Sequence, residues 1–236
     1  MEGELTDIEL VILSHALAKG DGGCAPSGNW SFMGSDIATV SHERAAYGRR
    51  FADVFPYERS ISSFKGWVEE FQRIWDRRPQ ALELMGNEHF LTSLNLAGIF
   101  VNWTPEYECD VCSFGSSMVE INCDMEQIPD FTKMLDYALC SISPDDGKVD
   151  LIVWKGEGAL DYLLQESEAF HYWWERLADL LRPGGSAFIQ NPLYIEGGHD
   201  MISSLNHFAE ASAGIVSVVY QSSQDDNRVY IRMDKL

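Results

Sequence analysis

Ala81-Leu82-Glu83-Leu84-Met85, followed by Gly86-Asn87-Glu88-His89, is the stretch on which the architecture turns. Four apolar residues around one acid, in a run too short for a helix, read as a buried strand. The polar group opened by Gly86 reads as the tight turn that leaves it. The same reading continues along the chain. Candidate strands fall at 81–85, 97–102, 118–122, 149–154, 186–190, 214–220 and 228–233, with helical segments between most of them. Strands that alternate with helices predict a largely parallel sheet covered on both faces. The last two strands are joined only by the short polar link Gln221–Asn227, which fits a hairpin, so one strand near the end is expected to be antiparallel.

Upstream of Ala81 the pattern is helical. Thr6-Asp7-Ile8-Glu9 matches a capping box, and Gly20 is the expected end of that helix. Asp21 to Ser35 is rich in Gly and Ser and reads as loop. A second helix is expected over His42 to Val54. A third follows from the helical spacing of Phe64, Trp67, Val68, Phe71, Ile74 and Trp75, a stripe that suits a core contact with the sheet. Arg73, Arg77 and Arg78 suit its C-terminal end, and Pro79 stops it. Two units result: a helical N-terminal extension over 1–78, placed to cap a substrate pocket, and a sheet domain over 79–236. Further along, Phe170, Trp173, Trp174, Leu177, Leu180 and Leu181 form another amphipathic stripe, which Gly184-Gly185 is expected to end before the next strand.

Composition removes several classes. With 236 residues and 45% hydrophobic content, the chain suits one sizeable α/β domain with an extension. No stretch approaches the roughly 18 apolar residues of a membrane span, and the acidic start Met1-Glu2-Gly3-Glu4 is unlike a secretory signal. Five cysteines, at 24, 109, 112, 123 and 140, lack framework spacing, which favours a reducing, cytoplasmic setting. The formal charge of −20 is uneven: residues 81–236 hold 8 basic and 25 acidic side chains. Such a body repels a phosphate backbone, so nucleic acid is not the expected partner.

The paced strands, the acid at Glu83, the loop acid at Asp124 and the junction Leu180-Leu181-Arg182-Pro183-Gly184-Gly185 together resemble the class I S-adenosylmethionine-dependent methyltransferases, over roughly residues 79–233. The resemblance implies a seven-stranded, mostly parallel sheet with an antiparallel strand near the C-terminus. It also implies S-adenosylmethionine as cofactor and a small molecule as methyl acceptor. The family's first strand carries an acid and then spaced glycines, which let backbone approach the ligand. Here the acid is Glu83, and the glycine run is replaced by Met85-Gly86-Asn87-Glu88-His89. The acid that holds the ribose hydroxyls at the end of the second strand is replaced by Asn102, in Asn102-Trp103-Thr104-Pro105-Glu106. Asp124 and Met125 match the adenine-holding pair. By this resemblance Glu83, Gly86, Asn87, Asn102, Asp124, Met125 and Trp154 would contact the cofactor. The fourth strand runs into Trp154, Lys155 and Glu157, which would line the crevice. His171, His89 or Glu157 would act as general base. Asn191-Pro192-Leu193-Tyr194 looks like the Asn-Pro-Pro-Tyr motif of amino-methylating branches but follows the wrong strand.

The altered turn and Asn102 keep a second reading open: a methyltransferase-like binding or scaffolding protein that has lost the cofactor and is inactive. Its partner would be a protein, a second copy of this chain included. A third reading is a different reaction in the same pocket. Cys109 and Cys112, with Cys123 and Cys140, make only one close pair, so no metal is expected. Arg44, Arg49, Arg50 and Arg59 offer either an anion-binding group or a solvated helix face.

Overall fold

The run Gln80–Leu84 does form the central strand of the sheet, and its neighbours set out the rest. The computed structural model describes residues 51, 54–55, 61, 63–84, 96–103, 110–114, 118–123, 132, 135–136, 138–140, 142–155, 167–192, 194–195, 199–223 and 228–236. The first two expected helices lie almost wholly outside them, as do the four arginines at 44, 49, 50 and 59. The described elements are α1 (Phe64–Trp75), β1 (Gln80–Leu84), β2 (Ala97–Trp103), β3 (Asp110–Phe114), β4 (Met118–Cys123), β5 (Val149–Lys155), α2 (Ser167–Leu180), β6 (Leu181–Pro192), β7 (Tyr194–Ile195), β8 (His199–Asp200), α3 (Met201–Ala211), β9 (Val216–Ser223) and β10 (Arg228–Lys235).

The main sheet has eight strands in the order β3-β4-β2-β1-β5-β6-β10-β9, and β7 and β8 form a separate two-stranded ribbon. β4, β2, β1, β5 and β6 run parallel. β10 inserts antiparallel between β6 and β9, so the expected C-terminal hairpin is present. The expected count of seven falls one short. β3, antiparallel to β4, adds an edge strand that the sequence reading missed. Without β3, the first five strands follow the doubly wound order 3-2-1-4-5.

Each face of the sheet has its own core. On one, α1 lays Phe64, Trp67 and Phe71 against Leu151, Val153, Phe188 and Tyr230. Phe188 collects the rings of Phe51, Phe55 and Phe64 at centroid distances of 6.0, 5.1 and 4.8 Å. Burial of each such side chain contributes about 1.5–3 kcal/mol. On the other face, Trp173, Trp174 and Leu177 of α2 and Met201, Leu205 and Phe208 of α3 pack on Leu82, Leu84, Ile152, Trp154 and Ile189. The aromatic stripe of α1 is thus a core contact, as expected, although Ile74 and Trp75 at its end are exposed.

Two junctions differ from expectation. Ser63 caps α1 by accepting a hydrogen bond from the Gly66 amide at 3.1 Å, and Arg73 lies in the last turn as expected. Asp76 takes the left-handed conformation (φ 50°), so Arg77 and Arg78 lie beyond the helix. Downstream, α2 ends at Leu180 and pairing begins at once, with Leu181 beside Val149. Gly184-Gly185 does not precede the strand. The pair sits within β6, where the register with β5 shifts between Val149 and Leu151. Gly184 has φ 81°, and a Cβ there would lie 2.7 Å from the Trp75 ring, so only glycine lets the end of α1 settle over the bulge.

The amino-terminal pole of the sheet is held by ions. Asp150, fully buried, accepts from both Arg77 amino groups at 2.7 and 2.8 Å, from the Gln80 amide at 2.9 Å and from Arg182 at 3.1 Å. Arg182 also donates to Asp146 at 2.8 and 2.9 Å and to Gln80 and Ser143. One carboxylate therefore joins the exit of α1 to the starts of β1, β5 and β6. The Arg182 hydrogen bonds hold the Asp146 carboxyl well below the usual carboxylate range, against the opposing effect of burial and with lesser help from Ser143, the Lys148 amide and the Arg182 charge.

A lowered folded-state pKa gives stability above the unfolded value, roughly 3.9, and that stability is lost as pH falls through the folded value. Urea midpoints measured from pH 6 down to pH 2.5 should therefore separate wild type from Asp146→Asn by a constant gap above about pH 5. The gap should shrink on acidification below about pH 4. A gap unchanged at pH 3 would show that Asp146 gains nothing from its partners.

Candidate functional site at the carboxyl ends of β1, β2 and β5

In an open parallel sheet, ligands bind beyond the carboxyl ends of the strands, at the point where the order reverses. Here that point lies between β1 and β5, since β2 and β4 continue on one side of β1 and β5 and β6 on the other. The register is explicit there. Leu84 lies between Val101 of β2 and Trp154 of β5, and Glu83 lies between Phe100 and Val153. The carboxyl ends of three strands therefore meet in one row.

Glu83 stands one residue before the end of the central strand and is 2% exposed. Its register neighbour Val153 belongs to the core on the α1 side, which places Glu83 on that face. Trp154 takes the opposite face. It is 1% exposed, and its ring meets Trp173 of α2 edge-on at 5.6 Å. Asn102 is the next residue of β2 after Val101 and pairs with Asn122 of β4, so it stands at the carboxyl end as expected from its strand. His171 lies on α2, two residues before Trp173. The structure thus brings Glu83, Asn102 and Trp154 to one end of adjacent strands, with the helix that carries His171 packed on the Trp154 face, opposite to Glu83. Gly86, Asn87, His89, Asp124, Met125 and Glu157, together with the rest of the 85–89 turn, lie outside the described residues.

The opposite end of β5 carries the Asp150 ion cluster. Asp150 and Trp154 are four residues apart on β5, roughly 13 Å at about 3.3 Å per residue. Among the described residues, no group of three or more His, Cys, Asp or Glu is arranged to hold a metal ion, and Cys140 is a free, exposed thiol. No described helix is long and apolar enough to cross a membrane.

Sequence reasoning passed over two polar residues near this end. Gln190 and Asn191, on the last turn of pleat in β6, are both buried. The signal was the string Asn191-Pro192-Leu193-Tyr194, which was set aside because it follows β6 rather than β5.

No family model matches the chain, and no curated protein matches it. Among solved structures it is similar in fold to a protein named as a ribosomal RNA methyltransferase from Plasmodium falciparum, with 12% identity, 73% of this chain and 96% of that one covered, and a TM-score of 0.47. It is also similar to the O-methyltransferase TomG from Streptomyces achromogenes, solved with SAM, at 12% identity, with 98% and 99% covered and a TM-score of 0.45. An O-methyltransferase family protein from Burkholderia thailandensis shares 11% identity, with 93% of this chain and 66% of that one covered and a TM-score of 0.43. The strand order, and not these likenesses, carries the fold assignment.

Proposed function

We propose that this chain is an S-adenosylmethionine-dependent methyltransferase acting on a small molecule. The observation that supports it best is the buried carboxylate of Glu83, one residue from the end of the central strand, at the switch point of a doubly wound sheet that closes with an antiparallel hairpin. The donor set suits the group. The cofactor carries an ammonium and a sulfonium cation, and Glu83 supplies negative charge in a site of low dielectric. In this reading Glu83, Gly86 and Asn87 hold the methionine portion. Asn102 accepts one ribose hydroxyl, Asp124 and Met125 hold the adenine, and Trp154 backs the crevice floor.

The bound cofactor supplies an electrophilic methyl group. The chain's own contribution is to orient the acceptor, exclude water and remove one proton, which is chiefly a proximity effect. His171, His89 or Glu157 takes that proton. An acceptor without a polyphosphate backbone follows from charge: with 25 acidic against 8 basic side chains over residues 81–236, the domain repels RNA. Isothermal calorimetry with S-adenosylmethionine tests the reading. Saturable binding is expected, and no heat at millimolar cofactor would overturn it.

A further inference from the structure

Buried polar atoms in folded proteins almost always have partners, and each exception calls for a cause. On the face of the sheet covered by α2 and α3, two side chains at the carboxyl end break that rule. Asn191 is 1% exposed, and neither its Nδ2 nor its Oδ1 has a hydrogen-bond partner among the described residues. The Trp154 indole Nε1 is likewise buried and without one. The two belong to one place. Trp154 pairs with Ile189, and Asn191 is two residues further along β6, so both point to the same face. Asn191 pairs across the sheet with Val229, which shares the apolar core containing Trp154, Ile189 and Trp173. Hence, among the described residues, three donor or acceptor groups stand unmatched in a largely apolar wall.

Their position separates them from the cofactor's nucleoside side. β4, which leads to Asp124, is four strands from β6 in the sheet order, roughly 19 Å at about 4.8 Å per spacing. β6 is only two strands from β1, on the side of the switch point away from β2 and β4. The orphaned groups therefore flank the site on the side left for the acceptor.

We propose that Asn191 and Trp154 form a recognition point for a neutral acceptor group that presents a hydrogen-bond acceptor and donor side by side, such as a lactam or carboxamide edge. A carboxamide side chain offers N–H and C=O in one plane and pairs with such an edge through two parallel bonds, while the indole N–H supplies a second donor to the ligand's carbonyl. Neither side chain carries charge, so the matching group is neutral. Such a pair also sets specificity, because an analogue lacking the edge leaves all three groups unmatched in the apolar wall. The ligand's role as methyl acceptor rests on the function proposed above. The binding itself does not, and it is tested without cofactor.

The probe is 2-pyridone, a minimal lactam, with N-methyl-2-pyridone as the version whose donor is blocked. Saturation-transfer NMR titrations on the full chain should show 2-pyridone binding to wild type and at least tenfold weaker binding of the N-methyl compound. Asn191→Leu, branched at the same carbon but apolar, should weaken 2-pyridone at least tenfold and raise the melting temperature by roughly 2–6 °C, because an amide unmatched among the described residues is removed. Trp154→Phe, which deletes the N–H and keeps a ring, should weaken 2-pyridone about threefold or more. The proposal is overturned if wild type shows no 2-pyridone signal at about 10 mM or binds both pyridones alike. It is equally overturned if Asn191→Leu melts below wild type, since the carboxamide would then serve the fold. Failure of S-adenosylmethionine to bind would remove the methyltransferase reading and leave this site standing.

Discussion

Asp150→Ala should cost about 3–5 kcal/mol of folding stability, the range for breaking a buried ion pair from one side. For a chain of this size that corresponds to a fall of roughly 6–20 °C in melting temperature. The magnitude follows from what one carboxylate serves. Its loss leaves the Arg182 guanidinium short of an anion in a partly buried place and the Gln80 amide without an acceptor. Arg77 also loses both of its charged bonds. The converse truncation is milder. Arg77 is 42% exposed, and after Arg77→Ala the carboxylate keeps Arg182 and the Gln80 amide, so about 1 kcal/mol is expected. Urea denaturation of the two variants checks both figures. An Asp150→Ala loss within 1 kcal/mol would show that the cluster is dispensable. Below its lowered melting temperature, Asp150→Ala should bind ligands at the carboxyl pole unchanged, since the two poles lie at opposite ends of β5.

The same cluster shows what sequence could and could not supply. Asp150 reads as an unremarkable acid at the start of an apolar run, and Arg77 as a helix-end cation. Their pairing spans 73 residues and exists only once β1 and β5 lie side by side. By contrast, β1, β2, β4, β5, β6, β9 and β10 were visible because each carries a sustained apolar or alternating run bounded by turn residues, and such a pattern is local. β3 has no such run. Asp110-Val111-Cys112-Ser113-Phe114 is five residues long and interrupted by polar groups, and only pairing with β4 makes it a strand. The bulge at Arg182–Gly185 was misplaced for a related reason. A Pro-Gly-Gly group reads as a loop, and only pairing of Leu181 with Val149 puts it inside a strand.

For the site, strand-borne residues were legible and their environments were not. Glu83 and Asn102 were chosen by the family resemblance and Trp154 as the end of its strand, and strand order then placed them near one end of adjacent strands. Burial decides what each can do, and burial is a property of the assembled layers. Asn191 shows the limit most clearly. Its string resembled a known motif, its strand was the wrong one for that motif, and the fact that matters is an unmatched carboxamide in an apolar wall.

Glu83→Gln should lower the affinity for S-adenosylmethionine by roughly 2- to 30-fold while leaving the melting temperature within about 3 °C of wild type. The substitution keeps the shape and both heteroatoms and removes the charge. A hydrogen bond to a charged group contributes about 1.5–3 kcal/mol, against about 1 for a neutral one, and each 1.4 kcal/mol is about tenfold in affinity. The stability arm separates function from structure. Glutamine keeps an oxygen acceptor in the same 2% exposed place, so the fold loses little unless it needs the charge itself. If only the fold needed the Glu83 charge, the glutamine variant would melt well below wild type and bind cofactor equally. If it serves the cofactor, affinity falls and melting holds. Calorimetry and thermal melts on the same sample read both, and a variant that binds S-adenosylmethionine as tightly as wild type would overturn the assignment of Glu83 to the cofactor's cationic end.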